Sequence, residues 1–272
     1  MVKSKNIFIE GLQGSGKSTL LAKLCEQFKE YQVYREGDIS PVELAWCSYM
    51  TQQEYEKALA EFPDLKQEIQ SHTVQEDSSL TENAFITAYT LILAENRKFY
   101  EYMEQYEIYN GRIPFERFRH IIYERYRRVR GTGNIFECSF FQNAMEDMML
   151  FYQLPDEEIL SFYRGAYEQI EQEHFRMIYL VSGDIEQNIL NIKKERSDEA
   201  GNEMWYPLMM NYFMTSPYGK EHDCKEFSDL IGHFKRREKL EMRIIEEVIK
   251  ENCICLPAKE YDLEKLCKKL ER

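Results

Sequence analysis

FIEGLQGSGKSTL, residues 8–20, decides the fold of this chain. Asn6-Ile7-Phe8-Ile9-Glu10 reads as a short buried strand that runs into a glycine turn. The turn Gly11-Leu12-Gln13-Gly14-Ser15-Gly16-Lys17-Ser18 fits the spacing G-x-x-x-x-G-K-[ST] between a strand and a helix. Glycines let the backbone curl so that successive N–H groups point inward at phosphate oxygens. The helix that opens at about Lys17 adds the partial positive charge of its N-terminus. The motif therefore predicts that Gly11, Gln13, Gly14, Ser15, Gly16, Lys17, Ser18 and Thr19 cradle the phosphates of ATP. Lys17 would bridge the β- and γ-phosphates, and the Ser18 hydroxyl would ligate Mg2+. The plain alternative is a glycine-rich turn that holds no nucleotide; the complete motif at the first strand favours the nucleotide.

Composition bounds the rest. The chain has 272 residues, 43% hydrophobic and 31% charged, which suits a folded chain and not a disordered one. No apolar run approaches the about eighteen residues of a membrane span, and Glu10 interrupts the first apolar run too early for a signal peptide. The expected location is therefore cytoplasmic, with no membrane partner. A net charge of −13 makes nucleic-acid polymers poor partners, while a small phosphorylated ligand is still served by local cations. The seven cysteines, Cys25, Cys47, Cys138, Cys224, Cys253, Cys255 and Cys267, are odd in number and irregular in spacing, so they read as reduced thiols. His222-Asp223-Cys224 has no second ligand pair to make a metal site.

Further strands are expected at about 31–35, 134–137, 175–181 and 253–256, alternating with helices. That alternation predicts an α/β fold: a three-layer α/β/α P-loop NTPase fold with a parallel five-stranded sheet. Residues 41–131 are too long for a simple crossover and lack strand alternation, so they are expected to form a large helical insertion in one kinase domain, with core 1–40 and 132–272. Ser79-Leu80-Thr81-Glu82 has capping-box form, and Phe85, Tyr89, Ile92, Phe99, Met103 and Tyr106 follow at helical spacing. MWYPLMMNYFMTSPYG, residues 204–219, is rich in Met and aromatics; core packing is favoured over an apolar pocket or partner surface.

NIFECSFFQNAMEDMM, residues 134–149, resembles the deoxynucleoside kinase and thymidylate kinase branch of P-loop kinases, which carry E-R-S or D-R-[SY] at the end of the third strand. Glu137-Cys138-Ser139 stands in that place. The resemblance implies that Glu137 acts on the magnesium shell, and that Asn143 stands where some members place a base-reading Asp. Cys138 replaces the family's arginine, which removes a cation. After the second strand the family has a Glu that takes the proton of an acceptor hydroxyl, then a pocket Trp. In YREGDISPVELAW, residues 34–46, Glu36 is the candidate base, Asp38 a close alternative and Glu43 a weaker one; Trp46 suits core or pocket equally. The basic segment NIKKERSDEAGNE, residues 191–203, matches the family's lid by position: Lys193, Lys194 and Arg196, with Arg196 first, would stabilise the transferred phosphoryl group. A solvated helix end is the simpler account of the same cations. Leu256-Pro257-Ala258-Lys259 lies where the family packs a loop on adenine.

The resemblance covers about residues 5–40, 133–200 and 250–272. It implies an ATP-dependent kinase of a nucleoside or nucleotide, using ATP and Mg2+, often as a homodimer. The acceptor is expected on the side of residues 41–131, where Gln52, Gln53, Gln75, Arg112, Arg117, Arg119 and the run YERYRRVR, residues 123–130, supply polar groups, although such a run is more often one solvated helix face. Two other readings stand beside it: a kinase of a non-nucleoside metabolite or antibiotic, and a nucleotide-binding regulatory protein whose chemistry has decayed.

Overall fold

The computed structural model describes residues 5–80, 82–198 and 202–270. The chain divides into two compact units, one of residues 34–125 and one of the flanking segments up to Val33 and from Tyr126 onward.

The flanking unit is built on a five-stranded parallel sheet with strand order β2-β6-β1-β7-β8. Its strands are β1 (Asn6–Gly11), β2 (Gln32–Tyr34), β6 (Asn134–Glu137), β7 (Phe175–Val181) and β8 (Cys253–Pro257). β1 is the central strand, paired in parallel with β6 through Ile9 opposite Glu137 and with β7 through Gly11 opposite Leu180.

Side chains alternate across a strand, and here the alternation sorts them by shape. Ile7, Ile9, Ile135, Ile178 and Leu180 point to one face, where Leu20, Leu21 and Leu24 of helix Lys17–Gln27 and Leu266 and Leu270 of helix Leu263–Leu270 cover them. Phe8, Phe136 and Phe175 point to the other, with the Phe8 ring stacked on Phe136 at 4.7 Å and on Phe175 at 4.8 Å. Phe140, Phe141 and Tyr163 complete that aromatic face. Burying rings of this size on both sides of the central strand supplies much of the apolar area removed from water. A third cluster joins Leu12 of the loop after β1 to Ile185, Ile189 and Ile192 of helix Ile185–Glu195 and to Phe213, Leu230 and Phe234.

Residues 34–125 differ from the expected helical insertion. Helices are present, among them Gln52–Glu61 and Arg97–Glu104, but so is a three-stranded antiparallel sheet, β3 (Ser48–Met50), β4 (Thr73–Ser78) and β5 (Glu82–Thr87), in the order β3-β5-β4. The helix expected after Ser79 is strand β5; Thr81 lies outside the described residues. Phe85, Tyr89, Ile92, Phe99, Met103 and Tyr106 do pack in one cluster, but from a strand, a 3-10 turn and a helix. A capping box occurs instead at Thr51 and Glu54. Sequence periodicity does not reveal the sheet because β4, TVQEDS, is a polar edge strand with a single apolar residue, so it has no apolar alternation to read.

All seven cysteines are free thiols. Among the described residues no helix is long and apolar enough to cross a membrane. Of the Met-rich stretch, Met210 and Phe213 are core, while Met204 and Leu208 are exposed.

Candidate active site

The phosphate loop grows directly out of the buried strand β1. Gly11, Gly14 and Gly16 all take positive φ, at 140°, 75° and 96°. At Gly14 the reason is steric as well as conformational: a Cβ there would stand 2.5 Å from Ile192 Cδ1, so the loop lies directly against helix Ile185–Glu195. Gly14→Ala is therefore expected to lower Tm by about 3–6 °C, from left-handed strain of about 1–2 kcal/mol plus the contact. It should also weaken ATP binding, since either the loop or the helix must move. Calorimetry and titration with a fluorescent ATP analogue check both effects.

Lys17 opens the following helix and is buried, 7% exposed. Its Nζ donates to Gly11 O at 2.8 Å and Leu12 O at 3.0 Å, so the ammonium is folded back over the loop. Ser18, one residue on, donates its hydroxyl proton to Glu137 Oε1 at 2.5 Å across 119 residues of sequence. Parallel pairing of β6 on β1 makes that contact, by setting Glu137 level with Ile9 at the strand end. Ser18 and Glu137 are hard oxygen donors, the kind Mg2+ takes. Among the described residues no group of three His, Cys, Asp or Glu is placed to hold a metal ion. Mg2+ keeps several waters and is bound through one or two protein groups plus phosphate oxygens, so two such donors are enough to hold it. Ser18 and Glu137 thus fit the ion expected with ATP.

Glu10, the acid that ends the apolar strand in FIEG and belongs to none of the motifs, is fully buried. Its Oε1 accepts the Phe140 amide at 2.6 Å. Burial pushes its carboxyl up to about 8; the Phe140 hydrogen bond and the charge of Lys17 oppose the shift, and the charge of Glu241 adds to it. A folded-state value above the unfolded 4.5 means that the folded protein holds a proton the unfolded chain releases. The stabilisation is full below about 4.5, is lost progressively as pH rises and is gone above about 8. Wild-type Tm should accordingly fall between pH 5.5 and 8.5 by more than the Tm of Glu10→Gln, which keeps a neutral group throughout; thermal melts across about that pH range compare the two.

The remaining expected residues fall into distinct surroundings. Glu36 sits in the turn after β2, half-buried. Asp38 Oδ2 accepts the Arg35 amide at 2.8 Å, which gives this acid a turn-closing role. Glu43 is buried and its Oε1 accepts the Leu44 and Ala45 amides, each at 2.7 Å, and the Tyr109 hydroxyl at 2.5 Å, so it serves as a structural anchor. Trp46 is 48% exposed and packs over Gly37. Cys138 is buried at a positive φ of 58°, so this position supplies no cation. Asn143 lies on helix Gln142–Leu150, and its Nδ2 has no partner among the described residues.

In the basic segment, Lys193 pairs with Glu203 at 3.3 Å and lies 4.0 Å over the Tyr206 ring. Arg196 lies 5.9 Å over Trp205, and Lys194 is exposed. Ser197 bridges Glu203 in antiparallel fashion; Glu199, Ala200 and Gly201 lie outside the described residues. Because this helix packs on Gly14, its C-terminal cations share a scaffold with the phosphate loop. After β8, Lys259 takes a positive φ of 67°, and its Cγ stands 3.7 Å from where a Cβ on Gly16 would be. The expected arginine run is not one face: Arg125 is buried and bonds Glu76 and Ser40 O, while Arg127 reaches Gln169 and Arg130 pairs with Glu171. Arg112 and Arg119 are ion-paired to Glu104 and Glu116. Gln52 Nε2 donates to Glu56, and Gln53, Gln75 and Arg117 are exposed.

No family model matches the chain, and no curated protein matches it. Among solved structures it is similar to D-glycerate 3-kinase from Cryptococcus neoformans var. grubii, with a TM-score of 0.35 and 12% identity over 96% of this chain and 88% of that one. A likeness that loose carries no argument about function.

Proposed function

We propose that this chain is an ATP-dependent phosphotransferase that moves the γ-phosphate of ATP to a hydroxyl or phosphate of a small molecule, a nucleoside or nucleotide first among them. The observation that carries the reading is the hydrogen bond between Ser18 and Glu137 beside the buried Lys17, three groups that a phosphoryl-transfer site needs, met where helix Lys17–Gln27 opens beside the end of β6. The loop amides and Lys17 hold the triphosphate and offset the charge that spreads over the transferred group. Ser18 and Glu137 would hold Mg2+, which when bound neutralises charge on the β- and γ-oxygens. Glu36 is the proposed base, with Asp38 second because its carboxylate already closes a turn. Lys194 and Arg196 are proposed as phosphate-side cations on the helix that packs against Gly14. They take on added weight because Cys138 brings none.

The nucleoside preference is supported by the resemblance of residues 137–139 and 34–46 to the deoxynucleoside and thymidylate kinase motifs. Labelled ATP and Mg2+, incubated with a panel of deoxynucleosides, ribonucleosides and their monophosphates, test it, with Lys17→Ala as control. Label on one acceptor, lost in the variant, is the expected result. ATP binding with no label moved sinks the nucleoside assignment and turns the search to other hydroxyl compounds.

A further inference from the structure

Against the phosphate loop lies a buried ionic cluster that none of the motifs accounts for. Arg237, on helix Phe227–Ile244, has no solvent exposure. Its Nε donates to Glu241 Oε1 at 2.7 Å, and its Nη1 donates to Glu146 Oε1 at 2.7 Å and to Gln13 Oε1 at 3.3 Å. The two carboxylates are themselves fixed: Glu146 Oε2 meets His233 Nε2 at 2.7 Å, and Glu241 Oε2 accepts the Tyr179 hydroxyl at 2.6 Å. Burial works against a charged Glu146, but His233 and Arg237 beside it outweigh that and hold its carboxyl down at about 2.

Such a cluster is a costly way to fill a core, because well-packed apolar side chains of similar volume often serve stability as well or better. Arg237 Nη2 is also buried with no partner among the described residues, and a buried unmatched donor in a native protein calls for an explanation. Gln13 is held by Nη1 rather than Nη2, and it is this contact that ties the cluster to the loop. Gln13 is the third residue of the loop and is followed by Gly14, where the backbone has no side chain of its own to fix its curl. Arg237 holds the Gln13 side chain from the protein interior, on a guanidinium whose orientation two carboxylates dictate.

We propose that Arg237 is a positioning residue for the nucleotide site, which acts through Gln13 Oε1 to set the curl of the phosphate loop. The inference rests on that loop binding a nucleotide, as proposed above. Gln13→Met tests it without disturbing the buried charges, since it keeps the length of the stem and removes the acceptor. Loss of a hydrogen bond from a charged donor should raise the equilibrium Kd for a fluorescent ATP analogue with Mg2+ about 5- to 10-fold. Tm should change by no more than about 2 °C. Arg237→Lys should raise Kd by a similar factor and lower Tm as well, because an ammonium cannot reproduce the guanidinium fork that serves Glu241, Glu146 and Gln13 together. The double variant should bind no more weakly than Arg237→Lys alone.

Wild-type affinity in Gln13→Met, or effects of the two changes that multiply in the double variant, would overturn the proposal. Should Arg237→Lys fail to fold, Gln13→Met alone decides. Wild-type protein that binds the analogue no better than Lys17→Ala overturns the nucleotide reading itself, a result distinct from loss of the Gln13 effect alone.

Discussion

Lys17→Met is expected to slow phosphoryl transfer by about 10²–10³-fold, the loss seen when one preorganised charge-stabilising group is removed from a transition state. The transferred group spreads negative charge over its equatorial oxygens, and a cation already in place needs no reorganisation as that charge develops. Lys17, 7% exposed and with its Nζ held by Gly11 O and Leu12 O, is proposed to supply that cation. Methionine keeps the apolar stem against the loop and removes only the ammonium, so the thermal melt should shift little. Single-turnover transfer from labelled ATP, read beside the melt, separates the two. A rate within a few-fold of wild type in the folded variant would remove Lys17 from the chemistry.

Glu137→Gln should raise the Mg2+ concentration needed for half-maximal activity by about 10- to 100-fold, the usual cost of losing a group that holds or orients a metal. The substitution leaves an amide oxygen that can still accept the Ser18 hydroxyl, so the 2.5 Å link and the strand pairing beneath it have no reason to break. What is lost is the negative charge. Activity measured across a Mg2+ titration for wild type, Glu137→Gln and Ser18→Ala gives the comparison. Ser18→Ala should shift the titration in the same direction, because it removes the other half of the pair. An unchanged Mg2+ dependence in Glu137→Gln would show that this carboxylate only braces the loop.

The centre of the core sheet was legible in the chain because β1, β6 and β7 are largely buried on both faces. β1, β6 and β7 are short apolar runs bounded by turn residues, and burial demands that composition wherever such a strand lies. Residues 34–125 obey no such demand. β3 has three residues and β4 is a polar edge, so their pairing with β5 leaves little trace in either sequence. The helical spacing of Phe85 through Tyr106 was a true sign of shared burial in one cluster, but not of one helix. Among the candidate acids, Asp38 was the close alternative to Glu36 and Glu43 the weaker one; hydrogen bonds from nearby amides give both structural duties.

By itself the sequence determined the phosphate loop and the alternation of strands and helices around it. Both are local: a backbone that must present several N–H groups to phosphate needs glycines at fixed spacing, and a strand inside a three-layer fold needs an unbroken apolar run. Only the tertiary structure decided that Ser18 meets Glu137, that Glu10 is sealed from water, and that Arg237 reaches Gln13 across 224 residues. Those relations depend on strand register and helix packing, which bring distant residues within hydrogen-bond reach and withdraw water from them. No window of sequence holds both partners, and the same Glu or Arg reads as a solvated charge until the fold removes the solvent.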